Sequence, residues 1–220
     1  VASQRTTPRT RREQIPKSER TKSAILRHAV HLASTEGLEG LTIGRLAELL
    51  NMSKSGLFAH FGSKLDLQLE TIDAARSIFI DEVVRPALTK PEGMPRLWAL
   101  CDGWLSLIER KVFEGGCFFT AASFEFDSRK GPVRDRIAEI MRQWLVTLST
   151  SVELAQIAGQ LDKKIDAEKL AFEMHAIAMG AQWSFQLLDD KAAFRKSRMV
   201  ILQKLQSLAT GKCPKLPKLK

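Results

Sequence analysis

Residues 42–64 hold the side chains best placed to do chemistry, and that chemistry is the capture of phosphates and base edges. Thr42 and Ser63 each stand at the start of a helical pattern, where unpaired backbone amides and a hydroxyl together suit a phosphate oxygen. Lys64 adds a cation one residue on. Between them, Lys54 and Ser55 open another short helix as donors to phosphates or base edges, and the small Gly56 and Ala59 let the backbone come close. No comparable pattern points to catalysis. The chain has no Walker loop, GxGxxG, GxSxG or HExxH, and its carboxylates are dispersed along helical faces. Cys101, Cys117 and Cys213 make no CxxC pair and no cluster with the four histidines, so neither a metal, another cofactor nor a disulfide framework is expected.

Those donors need helices to carry them, and the punctuation of the chain is helical. Ser18 is a plausible N-cap, and Ile25, Leu26, Ala29, Leu32 and Ala33 recur at three-to-four-residue spacing until Gly37 stops the pattern. Thr42 caps residues 43–50, with Ile43, Leu46, Ala47 and Leu50 on one face; Asn51 and Met52 turn; Ser53 caps residues 54–61; Gly62 ends them. Two short helices joined by such a turn let the second enter a major groove while the first braces it. Ser63, with Asp66 three residues on, opens a long helix expected to end near Arg85, before Pro86. Further helical patterns cover roughly 95–111, 118–126, 132–158, 166–189 and 191–209. No hairpin turn, strand alternation or fixed-period repeat is evident, so the fold class is all-α.

The net charge of +9 is unevenly spread. Residues 1–62 carry ten Lys/Arg against five Asp/Glu, residues 211–220 carry four lysines and no acid, and the stretch between is neutral. The expected organisation is a flexible basic arm (1–17), a helix-turn-helix head (18–64), a helical body (65–210) and a loose basic tail (211–220). Arg9, Arg11 and Arg12 could reach a minor groove. Basic ends of this kind also suit solubility, or a non-specific, nucleoid-associated DNA binder. No stretch approaches a membrane span and no signal-peptide core opens the chain, so a cytoplasmic location without a membrane partner is expected.

Taken in order, Thr42, Ala47, Ser53 and the ending Phe58-Ala59-His60-Phe61-Gly62-Ser63-Lys64 resemble the head of TetR-type (TetR/AcrR-like) transcriptional regulators, over about residues 18–70. The resemblance implies that Thr42, Lys54, Ser55, Phe58, His60 and Lys64, with Gly56 among the outward residues, line the DNA face, and that Phe61 pins the second helix to the core. Phe58 departs from the family, which usually has tyrosine there with its hydroxyl on a phosphate; packing at this position is expected to persist. The resemblance further implies a homodimer on a palindromic double-stranded operator, with heads about 34–36 Å apart or near a multiple of that spacing. It implies too a repressor released by a small-molecule effector bound in the body.

In the body, Trp98, Trp104, Phe118, Phe119, Phe124, Trp144 and Trp183 either wall an apolar pocket or fill the core. Cys117 is a thiol sensor or a small buried hydrophobe. His175, Ala178 and Gln182 on one helical stripe, with Met199, Leu202 and Leu205 on the next, are the candidate dimer interface, the alternative being an internal core. An enzyme on a helical scaffold is the remaining reading, and it has no recognisable site.

Overall fold

Caps and breakers set the helices before any packing does. In a computed structural model, residues 16–217 are described, and the arginines of the expected arm, Arg5, Arg9, Arg11 and Arg12, lie outside them. The first helix, α1 (Lys17–Glu36), begins behind Pro16 and not at Ser18, with the Pro16 carbonyl accepting the Arg20 amide at 3.1 Å. It stops at Gly37, whose φ of 86° an L side chain rarely adopts. Then α2 (Ile43–Leu50) and α3 (Lys54–Phe61) follow as expected, each started by a hydroxyl: Thr42 Oγ1 accepts the Arg45 amide and Ser53 Oγ the Gly56 amide, both at 3.1 Å. Between them Asn51 turns left-handed, and the amides of Asn51 and Met52 close the α2 carbonyls of Glu48 and Ala47. Leu46, Ala47, Leu57 and Phe61 are buried with Ile25, Ala29 and Val30 of α1.

From Ser63 the chain runs into the body through α4 (Lys64–Phe79), a π-helical segment (Ile80–Val84) and the single turn α5 (Arg85–Leu88). The helix therefore crosses Pro86, where the sequence pattern predicts a stop. Pro86 has no N–H for the carbonyl four residues back, and its ring crowds that carbonyl. The wider register absorbs the conflict, as the Arg85 amide donates five residues back to Ile80. The body is completed by α6 (Met94–Glu109), α7 (Phe118–Phe126), α8 (Pro132–Ile157), α9 (Ala167–Leu187) and α10 (Ala193–Leu208). Helix α8 packs on α4, α6, α7 and α9, while α10 covers α6 and α9. Among the described residues there is no strand, only an isolated bridge between Leu161 and Ala209. The chain after α10, expected to be loose from residue 211, is laid against the body as far as it is described: the Thr210 amide donates to the Gln160 carbonyl at 2.9 Å, and Leu216 packs on the core.

Two closely packed positions make the packing testable. A Cβ on Gly115 would lie 1.6 Å from the Ser34 carbonyl oxygen, so the turn before α7 sits directly on the last turn of α1. Gly115→Ala should lower stability in urea denaturation by about 2–3 kcal/mol, the usual range for overpacking; a loss under about 0.5 kcal/mol would show this contact to be soft. His175, buried on α9, stacks on Trp104 with ring centroids 5.1 Å apart, and burial pushes its pKa below the ordinary 6.5. The unfolded chain then binds the proton more readily, so the contribution of this residue is full above pH 6.5 and is lost as the pH falls below it. Between pH 7 and 5 the Tm of the native protein should fall further than that of His175→Gln; parallel curves would contradict this.

Candidate nucleic-acid interface and internal cavity

With Leu57 and Phe61 turned inward, the outer face of α3 presents Lys54, Ser55, Phe58 and Ala59 to solvent. The Lys54 side chain reaches back over Gly44: a Cβ there would lie 3.7 Å from Lys54 Nζ and 3.9 Å from Thr42 Oγ1. An ammonium, a hydroxyl oriented by its bond to the Arg45 amide, and the open amide end of α2 thus share one phosphate-sized patch. Gly56 is half-buried and does not join that patch; a Cβ there would press within 3.0 Å of Ser53 Oγ, so the glycine protects the cap. His60 is half-exposed beside Phe61. Lys64 pairs with Glu39 at 3.0 Å, and that hydrogen bond, ahead of the Arg129 charge, holds the Glu39 carboxyl below its usual range. An exposed pair of this kind is worth about 0–1 kcal/mol, so an arriving phosphate can take over the lysine.

Phe58 corrects an expectation. Its ring is 56% exposed and packs against no core, because the 100° step from the inward Leu57 carries it to the outer face. Phe61, by contrast, is buried beneath the Lys22 ammonium, 5.4 Å from the ring centre.

Head and body meet at the turn after α1. Both carboxylate oxygens of Glu125 on α7 accept backbone amides there, from Leu38 and from Glu39, each at 2.8 Å. From the other side, Gln68 Nε2 of α4 donates to the Leu38 carbonyl at 2.8 Å. Neither Glu125 nor Gln68 stands out in the sequence, since no spacing rule ties a side chain to a turn 87 residues away.

Between α4 and α8 of the body lies a partly open cavity of about 260 Å³. Arg76, Phe79, Ile80 and Val84 form its wall on the α4 side, and Ile140, Met141, Gln143, Trp144 and Thr147 form the α8 side. Trp104, Cys117 and Phe119 close it. The Phe79 ring meets Phe119 and Trp144 edge-on at 6.1 and 5.1 Å, and Trp104 meets Trp144 at 5.6 Å. Of the seven aromatic candidates, Trp104, Phe119 and Trp144 therefore line the cavity. Trp98 and Phe118 are buried outside its wall, with Trp98 facing the tail near Leu216. Phe124 and Trp183 are more than half exposed and drop out of the pocket. Cys117 is buried in the wall, its amide bonded to Gln182 Oε1 at 2.9 Å. Burial pushes the Cys101 thiol up to about 12.

The candidate interface also changes. His175, Ala178, Gln182, Leu202 and Leu205 are buried within the protomer and have almost no surface to offer a partner; Met199, 40% exposed, remains outside. The surface of α9 carries instead Phe172, Ala176, Gly180, Trp183 and Leu187, one stripe further round. Both faces of this helix are apolar, so periodicity alone does not tell the inner from the outer.

Residues 25–71 match the family model for bacterial regulatory proteins of the tetR family, and residues 93–201 match the tetracyclin repressor-like C-terminal domain; together they span over two thirds of the chain. An HTH-type transcriptional repressor, AcnR of Corynebacterium jeikeium, is 26% identical over 167 residues, covering 72% of this chain and 78% of that protein. A TetR transcriptional regulator from Chloroflexus aurantiacus superposes with a TM-score of 0.81 at 22% identity, over 88% of this chain and 98% of that one. AibR, solved with isovaleryl coenzyme A and operator DNA, superposes with a TM-score of 0.66 at 19% identity, over 83% and 96% of the two chains. At these identities the solved structures establish the shared fold, and the family matches define the lineage. The chain belongs to the TetR family of bacterial transcriptional regulators.

Proposed function

We propose that this regulator is a cytoplasmic repressor that grips a two-fold symmetric operator as a homodimer and releases it when a small molecule fills the cavity of the body. The observation that carries the reading is that one helix serves both ends: α4 starts at the base of the DNA-binding head and, fifteen residues on, its side chains wall the cavity. Residues 18–64 act as the head and residues 65–210 as the body. An occupant changes operator affinity only by the difference in its affinity for two arrangements of α4. The π-helical segment at the cavity wall supports such a pair of arrangements, because it can shift register without breaking the helix. AibR, caught with both operator DNA and an acyl coenzyme A, is a precedent for one fold holding both partners.

The homodimer rests on the outer faces of the last two helices. Phe172, Trp183 and Leu187 of α9, with Met199 and Val200 of α10, are 40% exposed or more, an apolar face of the kind a partner helix pair buries. Phosphate contacts come from Thr42, Lys54 and Lys64, and base contacts from Ser55, Phe58 and His60.

The test uses the DNA upstream of the regulator's own gene in fluorescence anisotropy. Specific fragments should bind about a thousandfold tighter than random DNA at the same salt. Lys54→Ala should weaken them about tenfold and lower the salt slope by about one. Equal affinity for random DNA would favour the non-specific reading instead. Trp183→Glu should sediment as a monomer and lose operator affinity; an intact dimer would overturn the interface.

A further inference from the structure

Charge is distributed unevenly around the cavity, and that imbalance defines its occupant. Arg76 is half-buried at the cavity wall, and its guanidinium has one hydrogen bond among the described residues, a 3.3 Å contact to the neutral Gln143 Oε1. No ion pair neutralises it there. The acids close to it in sequence and space are committed to another arginine. Asp73, one turn earlier, accepts two hydrogen bonds from Arg136 at 2.6 and 2.9 Å, and Glu139 accepts a third at 2.7 Å. The remaining oxygen of Glu139 accepts from Gln143 Nε2 at 3.3 Å, which orients that amide with its oxygen toward Arg76.

Apart from Gln143 and Thr147, whose hydroxyl donates to the Gln143 carbonyl, the rest of the wall is apolar or aromatic, but it too has a deficit of one sign. The buried indole N–H groups of Trp104 and Trp144 have no hydrogen-bond partner among the described residues. An indole nitrogen can only donate, and a buried donor left unpaired is costly. A cation and two donors around one cavity all call for acceptors. A cationic occupant would meet Arg76 unfavourably and satisfy neither indole.

We propose, building on the effector reading, that the cavity takes an organic anion: a carboxylate on an aryl-alkyl or medium-chain hydrocarbon body. The carboxylate pairs with Arg76, displacing Gln143, and the body lies among Phe79, Phe119, Ile140 and Trp144. If a cavity of about 150 Å³ holds benzene, then 260 Å³ corresponds to roughly ten carbon atoms. Arg76 is a helical turn from Ile80, where the π register begins, so an anion drawn to it acts on the helix that leads to the DNA-binding head.

The probes are 4-phenylbutyrate and decanoate, each with ten carbons, and the neutral 4-phenylbutanamide. Binding is read from tryptophan emission, which suits a chain with four tryptophans and no tyrosine. In parallel, operator release is read by anisotropy. Both acids should quench saturably, with 4-phenylbutyrate at least tenfold tighter than its amide; Arg76→Gln should abolish that preference and Arg76→Lys, which keeps the charge and serves as the folding control, should retain part of it. Amide binding as tight as the acid, failure of both acids to bind below millimolar concentration, or an unchanged preference in Arg76→Gln overturns the proposal. The two readings fail separately. An acid that binds through Arg76 without releasing the operator sinks the effector reading alone, whereas release by the amide through an Arg76-independent site sinks the anion alone.

Discussion

The turn leaving α1 is where the DNA-binding end of this molecule is clamped to the body. Glu125 accepts the amides of Leu38 and Glu39, and Gln68 holds the carbonyl of the same Leu38, so the turn leaving α1 is gripped by α7 on one side and α4 on the other. Hydrogen bonds to a charged group contribute about 1.5–3 kcal/mol each, against about 1 kcal/mol for an ordinary one. Allosteric coupling between two sites typically amounts to about 1–3 kcal/mol. The clamp is therefore of the right strength: loosening one of its bonds is enough to change how firmly the head is held, without unfolding anything.

What makes the clamp relevant to function is where its two jaws lead. Helix α7 also carries Phe119 and α4 also carries Phe79, and these two rings meet edge-on in the wall of the cavity. The proline at position 86 would ordinarily break α4; here its cost is absorbed by a π-helical segment whose first residue faces the cavity. The part of the structure least committed to one backbone register thus borders the space where a ligand would sit. Gly115, pressed onto Ser34, adds a stiff contact between α1 and the turn before α7, so motion of the body cannot be taken up by slack there.

Much of this was legible in the sequence wherever the determinants are local. Thr42, Ser53 and Ser63 cap the helices they were expected to cap, and Asn51 and Gly62 end them, because a cap depends only on neighbours within four residues. The same local logic failed at Pro86, where the packing of α4 in the body outweighs the breaker. It also failed on faces. On α9, Ala171, Met174, Ala178 and Ala181 point inward while Phe172, Trp183 and Leu187 point outward, and only the neighbouring helices distinguish two apolar stripes. Among the aromatics, Trp104, Phe119 and Trp144 gather around the cavity while Phe124 and Trp183 do not, a matter of tertiary geometry that composition does not encode. The roles of Glu125, Gln68 and Arg76 are not written locally, because they lie in partners distant in the chain, or in the lack of one.

If the Glu125 clamp sets the position of the heads, the distance between them reports it. Spin labels on His28→Cys, exposed on α1 of the head, in a Cys213→Ser background, one per protomer of the proposed dimer, report that distance by double electron–electron resonance. Native Glu125 should give one narrow distribution with the operator bound and a similar mean without it, and Glu125→Ala should broaden it several-fold in the free protein while the helical content is retained. An unchanged, narrow distribution in the variant would mean that Glu125 does not hold the heads in place.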